Sequence, residues 1–418
     1  MSDHLPFSNA HSHIFTSQHA PDYFLRTAIK NDWLARQIDK MVKKDGTRTA
    51  LKSVDWILKF FSPNYRNTVR RYIEFVQIGT SATQEDVFNM ESRAYMRLGD
   101  YRIVVLTQVL DYLDYNSTSN HKKIQTQVQE IIELKRNELY HDKLIPFLGI
   151  DPRMQGIDLL QWVTSHINKD VGFYGIKIYP AYGFFPFDVR LDPVWKWAAE
   201  NDVPVMTHAT RGGSFYLGTF DSIMNQGGFR IQSLNPNSSA MPRILNRISQ
   251  LVNESDKSVK KNNETWCNVF GHPDNYIPVL EKYPSLKICL AHLGGANEVK
   301  LSAAQQLNPA TKTPYPGYLG GNWYTAILDL MTNFPNVYSD ISYTLSDKDA
   351  MNIITTYFNN SPLIDKLLYG TDFYLTQQET TGDEPGLINI FLKDFSEAQI
   401  SKLAYVNPDN YLRSAIQV

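Results

Sequence analysis

Cysteine is nearly missing from this chain: Cys267 and Cys289 are the only two in 418 residues, and they form no CxxC pair. That scarcity excludes a disulfide scaffold or a cysteine-ligated zinc module and fits a reducing, cytoplasmic setting with structural thiols. An excess of one charge is missing as well. Lys and Arg number 41 against 43 Asp and Glu, a formal net charge of −2, so there is no basic footprint for nucleic acid. The one short basic run, Lys257 to Lys261, is broken by Ser258 and Val259 and leads into Asn262-Asn263-Glu264, as a solvated loop would. No run of about eighteen apolar residues occurs, so no membrane span is expected. The start, Met1-Ser2-Asp3-His4, lacks the basic and apolar regions of a secretory signal. No internal repeat or low-complexity tract stands out.

What is present is an apolar fraction of 43%, enough for a sizeable core, and an aromatic content of 12%. Many of the aromatics fall in loops, as in a site that grips an organic ligand. The length suits one large barrel with insertions or two ordinary domains. Eight short apolar segments follow one another: Leu5 to His13, Arg102 to Leu106, Leu144 to Ile150, Gly175 to Tyr179, Val203 to His208, Leu286 to His292, Val337 to Ile341 and Leu367 to Asp372. Helical patterns separate most of them. Ile124, Val128, Ile131, Ile132 and Leu139 form an apolar stripe, and Asp192-Pro193 reads as an N-cap followed by proline at the first helical position. Alternating strands and helices predict an α/β fold, a (β/α)₈ TIM barrel spanning 1–418 as a single domain. An open doubly wound sheet has the same local pattern, and the strand ends separate the two.

Two connections are too long for ordinary loops. Residues 14–100, after strand one, read as a helical insertion capping the barrel mouth, with Trp33, Trp56 and Phe60 as apolar anchors and Thr83-Gln84-Glu85-Asp86 as a helix cap. Residues 211–266, after strand five, are rich in Asn, Ser and Gly and read as a long, partly mobile active-site loop.

The chemistry lies at the strand ends. His11 and His13 are two apart on a strand, so they share a face. His208 closes strand five, His292 strand six and Asp372 strand eight. Each alone is an ordinary polar residue ending an apolar run. Together they occupy the C-terminal ends of four strands, the end at which a barrel builds its active site. Four imidazoles and a carboxylate converging there predict a divalent-metal centre and metal-assisted hydrolysis or a related reaction.

The motifs Asn9-Ala10-His11-Ser12-His13-Ile14-Phe15, Gly175-Ile176-Lys177-Ile178-Tyr179-Pro180, Met206-Thr207-His208-Ala209, Leu290-Ala291-His292-Leu293-Gly294-Gly295 and Tyr369-Gly370-Thr371-Asp372 recur in order across nearly the whole barrel. In them the chain resembles the amidohydrolase superfamily, in its amidohydrolase-related branch, which contains aminocarboxymuconate semialdehyde decarboxylase. The resemblance implies His11, His13 and His208 as metal ligands, Asp372 as both ligand and proton acceptor, and His292 as the residue that orients water or polarises substrate. It implies one divalent ion, zinc ahead of manganese or another transition metal, and a homodimer. This chain departs from the family in having Asn9 where Asp is frequent, in a loosely matching close at Asn407-Pro408-Asp409-Asn410, and in both insertions.

Lys177 inside an apolar strand is costly to bury as a bare ammonium. It pairs with a carboxylate, meets substrate or is chemically modified, and the resemblance allows a carboxylated lysine that bridges two metals at the end of strand four. Arg211, just past His208, is placed to hold a substrate carboxylate or to face solvent. Tyr179, Tyr182 and Tyr374 are candidate pocket walls, and His19 and His272 read as surface or supporting residues. The expected activity is hydrolysis of an amide, lactone or ester bond in a small organic substrate by metal-activated water. The alternatives are metal-dependent non-oxidative decarboxylation of a small carboxylic acid and a ligand-binding barrel without turnover.

Overall fold

A computed structural model describes residues 5–20, 71, 74–110, 121–216, 232–255, 263–307 and 321–416. The anchors Trp33, Trp56 and Phe60 lie outside them, as does most of the first insertion. Eight strands run in chain order: β1 Phe7–Ser12, β2 Tyr101–Leu106, β3 Leu144–Gly149, β4 Gly175–Ile178, β5 Val205–Thr207, β6 Ile288–Leu290, β7 Val337–Asp340 and β8 Leu367–Leu368. Every neighbouring pair is parallel, in the order β1 to β8. The seam between the last strand and the first is closed by backbone bonds from Ala10 N to Tyr369 O (2.8 Å), Asp372 N to His11 O (2.9 Å) and His13 N to Phe373 O (2.6 Å). This is the expected (β/α)₈ barrel, with helices between the strands.

Side-chain alternation sorts two apolar layers. Ala10, Val104, Leu106, Ile145, Phe147, Met206, Cys289 and Leu368 fill the barrel interior, where Tyr411 and Leu412 join them. Tyr411 donates its hydroxyl to Val205 O at 2.8 Å. The intervening residues, such as Ile103, Val105, Ile176 and Ile178, pack outward into the larger layer beneath the helices. Lys177 lies between two outward isoleucines and therefore points inward. One register shift matters for the site: Asn9 pairs with Ile103 but Ser12 with Val105, so β1 carries one extra residue there. This is a β-bulge, which re-aims side chains.

The capping prediction at Thr83 holds. Its hydroxyl accepts from Asp86 N, and Asp86 returns a bond to Thr83 N, opening helix Gln84–Tyr95. The stripe from Ile124 forms helix His121–Arg136, but Leu139 lies past its end and is exposed. Asp192 does not cap its helix; its carboxylate takes Lys282 Nζ (2.8 Å) and the Tyr283 hydroxyl (2.7 Å) instead. The second insertion is not all loop. Met241–Ser255 is a helix whose Ile244, Ile248 and Leu251 are buried at helical spacing, so its core face overrides the polar composition around it. No helix among the described residues is long and apolar enough to cross a membrane.

Candidate metal centre

His11 and His13 project together into the mouth of the barrel, and Asp372 reaches them from β8 across the seam. His13 Nε2 is 3.3 Å and His11 Nε2 3.5 Å from the same atom, Asp372 Oδ1. All three side chains are buried. The opposite nitrogens decide what these atoms offer. His11 Nδ1 lies 2.9 Å from Asp340 Oδ2, and an ionised carboxylate only accepts, so Nδ1 carries the proton. His13 Nδ1 donates to Leu106 O at 3.1 Å. Each ring therefore turns an Nε2 lone pair toward Asp372, the arrangement in which a rear acceptor fixes the tautomer of a metal-binding histidine.

Electrostatics agree. Burial, helped by the charge of Lys177, brings His11 down to about 3 against the pull of Asp340 and Asp372. Burial likewise lowers His13. Both are neutral imidazoles, the form that binds a metal. Burial opposes ionisation of Asp372, but its close contact with His13 and the other nearby imidazoles outweigh it and hold the carboxyl well below the usual range.

Among the described residues two overlapping groups could hold an ion, His11-His13-Asp372 and His11-His292-Asp340. They are not equivalent. Asp340 is already saturated: besides His11 it takes His292 N (2.9 Å), Ser342 N (3.0 Å) and the Ser342 hydroxyl. In the first group His11 Nε2 and Asp372 Oδ1 are buried without a hydrogen-bond partner among the described residues. Buried polar atoms are rarely left so. Two orphaned donor atoms converging beside a third are what a divalent cation would satisfy, and the residues fit one.

His292 and His208 stand at the same mouth. His292 Nδ1 contacts Ser342 O at 3.0 Å, and its Nε2 lies 3.2 Å from His208 Nδ1. His208 Nε2 rests on Gly212 O at 2.9 Å, so His208 is not among the donors grouped around Asp372 Oδ1. Burial, with the charges of His292 and Lys177, pushes it well below the usual imidazole range. Its ring stacks on Tyr179 with centroids 4.0 Å apart, and Tyr179 in turn stacks on Tyr182 at 4.0 Å. Gly213 makes room for this stack: at φ +91 it has no side chain, and a Cβ there would sit 2.3 Å from the Tyr179 hydroxyl oxygen. Backbone strain collects here too. His292, Leu293, Tyr343 and Asp372 all have positive φ, a conformation rarely retained outside functional or tightly constrained sites.

Lys177 is buried and its Nζ has no hydrogen-bond partner among the described residues. Burial pulls it down to about 8, while Asp372 and Asp340 favour its charge. It shares a small cavity with Gln108, Asp151, Tyr179 and Tyr182. Arg211 is also buried, not solvent-facing. It is ion-paired with Glu298, donates to Asn268 Oδ1 (3.0 Å) and Gly321 O (2.8 Å), and lies over the Trp323 ring. Tyr374 belongs to the core, donating to Phe15 O at 2.9 Å. His19 and His272 are buried rather than superficial, His19 against Glu130 and His272 on Asp274 N.

Sequence reasoning missed Asp340 and Gln108. Asp340 closes β7 as Asp372 closes the eighth apolar segment, so the same signal was present. Gln108 follows β2, and its amide bridges the Tyr182 hydroxyl (3.0 Å) to His13 Nε2 (3.2 Å); a glutamine two residues past a strand carries no such signal.

Residues 163–413, more than half of the chain, match the family model described as amidohydrolase. Among curated proteins none matches. A solved structure shares the fold. The 5-carboxyvanillate decarboxylase of Novosphingobium aromaticivorans, complexed with manganese and 4-hydroxy-3-methoxy-5-nitrobenzoic acid, is 14% identical over 98% of this chain and 96% of that one, with a TM-score of 0.50. A probable 2-pyrone-4,6-dicarboxylic acid hydrolase from Acinetobacter baumannii is 13% identical over 98% and 99% (TM-score 0.46). The 4-oxalomesaconate hydratase of Rhodopseudomonas palustris is 14% identical over 97% and 95% (TM-score 0.46). With eight parallel strands, a cation-ready trio at their C-terminal ends and this family match, the chain belongs to the amidohydrolase family of metal-dependent enzymes.

Proposed function

We propose that this protein is a metal-dependent hydrolase cleaving an amide, lactone or ester bond in a small organic substrate that carries a carboxylate. The observation that carries the reading is the pair of orphaned atoms, His11 Nε2 and Asp372 Oδ1, beside His13 Nε2. His11, His13 and Asp372 hold one divalent ion, zinc or manganese, and His208 joins them by giving up Gly212 O. Such an ion supplies Lewis acidity and lowers the pKa of water toward neutrality. Asp372, kept ionised by its imidazole neighbours, accepts the proton of the attacking water and passes it to the leaving group. His292, anchored from behind by Ser342 O, directs its Nε2 edge at the carbonyl or the water. Lys177 takes the substrate carboxylate: it is a buried cation without a hydrogen-bond partner, in the cavity walled by Tyr179 and Tyr182. Arg211, paired with Glu298, is not offered to the substrate. The chain works in the cytoplasm as a homodimer; its two cysteines are both buried, as structural thiols in a reducing compartment would be.

Non-oxidative decarboxylation is the second reading, favoured by the same Lys177 and by the manganese-bound decarboxylase of like fold. In that case a proton taken from water passes through Asp372 to the carbon whose carboxylate leaves as CO₂.

Isotopes separate the two. With a panel of carboxylated lactones, amides and aromatic acids in labelled water, hydrolysis places ¹⁸O in the product acid. Decarboxylation instead releases CO₂ and places solvent deuterium on carbon. His208→Ala should lose bound metal, and Asp372→Asn should lose nearly all turnover while metal falls less. A protein that after gentle purification holds no transition metal, and neither binds nor is stabilised by added zinc or manganese, would sink both readings and leave a ligand-binding barrel.

A further inference from the structure

Glu91 sits on helix Gln84–Tyr95, outside the barrel wall, yet it is completely buried and has no ion pair among the described residues. Burying a carboxyl without a cation is costly, and an apolar side chain would serve packing better. Its two oxygens are spent on β1. Oε1 accepts from Asn9 Nδ2 at 3.0 Å and Oε2 from the Ser12 hydroxyl at 2.6 Å. Those two residues flank His11, and they face the same way only because the bulge lies between them. Asn9 extends the link across the seam. Its Oδ1 accepts from His11 N (3.1 Å) and Thr371 N (3.2 Å), and its Nδ2 also reaches Thr371 Oγ1 (2.9 Å), one residue before Asp372. One carboxyl thus grips both sides of the bulge that aims His11 and His13 and, through Asn9, the backbone that carries Asp372.

We propose that Glu91 is a positioning residue for the metal donors of β1 and β8, supplying from a neighbouring helix the carboxyl that holds both sides of the β1 bulge. The inference rests on the metal-binding reading above. It predicts that the carboxyl and the amide can trade places. With Asp at 9 and Gln at 91, the amide donates outward from the helix and the strand carboxylate still accepts from His11 N and Thr371 N.

The test is titration of the metal-free protein with Co²⁺ against a competing chelator, reading both affinity and the d–d absorption spectrum, with thermal melting of each apo protein as a control for folding. Glu91→Gln replaces one acceptor oxygen by an amide NH₂, so the Ser12 hydroxyl must turn round to accept, and Co²⁺ binding should weaken about 10- to 100-fold with an altered spectrum, the range found when partners of metal ligands are removed. Asn9→Asp alone brings a second carboxyl against Glu91 and should also weaken binding. The double variant Asn9→Asp/Glu91→Gln should recover most of the affinity and the wild-type spectrum, which a purely structural role for Glu91 would not produce. If Glu91→Gln binds Co²⁺ like wild type, or the double variant is as weak as the singles add up to, the positioning role is wrong while the metal site stands. If wild type itself binds no Co²⁺, both are wrong.

Discussion

Asp340 shows how much of a metal site is decided behind the donors. Its carboxylate has five partners, the Cys289 thiol among them, and through the others it sets the His11 tautomer, holds His292 by its backbone and fixes the turn at Ser342. Burial alone would raise its pKa, but the His11 contact and its other donors keep it well below the usual carboxylate range. Asp340→Asn would retain the shape but can present its amide nitrogen to His11 Nδ1, forcing that proton to Nε2 and blocking the lone pair. We expect metal affinity to fall about 10- to 100-fold, measured by chelator competition, with the apo melting temperature changed far less. A variant that binds metal as wild type does would show that the tautomer is set elsewhere. Lys177 makes the complementary case for substrate. Lys177→Met keeps the volume and removes the charge, so KM for a carboxylated substrate should rise at least tenfold, while uncharged analogues are unaffected; equal effects on both would remove Lys177 from recognition.

At the level of elements, the site depends on how closely β8 approaches β1. A Cβ on Gly370 would lie 2.9 Å from the Cβ of His11 and 3.1 Å from that of Ser342. Neither neighbour is a flexible side-chain tip. Gly370→Ala must therefore push the strands apart, at a cost of about 1–3 kcal/mol by denaturant unfolding, and should weaken metal binding because Asp372 is two residues away. Loss of stability with unchanged affinity would mean that the seam relaxes away from the donors. The outer face of the same seam holds a second buried carboxyl. Glu384 takes the Tyr95 hydroxyl and the Thr371 hydroxyl (2.9 Å), and burial pushes it up to about 7. In the unfolded chain a glutamate titrates near 4.3. The folded protein thus binds the extra proton between those values, so the stabilisation is present below about 4.3 and is lost as pH rises through about 7. Denaturant midpoints of the apo protein should fall between pH 5 and pH 8, and Glu384→Gln should flatten that slope.

For the whole molecule, a metal that binds only the folded barrel adds stability by mass action, about 2.7 kcal/mol at a hundredfold excess over Kd. Thermal melts should rise by several degrees with saturating zinc or manganese, and the rise should vanish in His13→Ala. An equal shift in that variant would place the ion outside the mouth. The barrel is a suitable frame because strands from distant parts of the chain end at one rim: residues 11, 13, 292, 340 and 372 come together although more than 300 positions separate the first from the last.

Much of this was legible before any coordinates. The eight apolar runs, the Thr83 cap and the strand-terminal histidines follow from periodicity, capping chemistry and the direction of parallel strands, all local properties of the chain. Local reasoning erred where tertiary contacts outbid it, as at Asp192, which caps nothing because Lys282 and Tyr283 claim its carboxylate, and at Met241–Ser255, where a buried face makes a helix out of a polar stretch. It could not reach Glu91 at all, since a glutamate on an amphipathic helix reads as solvated. The sequence by itself determined the barrel and the kinds of atom at its mouth, because these depend on patterns a few residues long. Only the tertiary structure decided which atoms are left without partners, because that depends on hydrogen bonds between residues tens to hundreds of positions apart: Asp340 behind His11, Leu106 O behind His13, and Glu91 beneath the bulge.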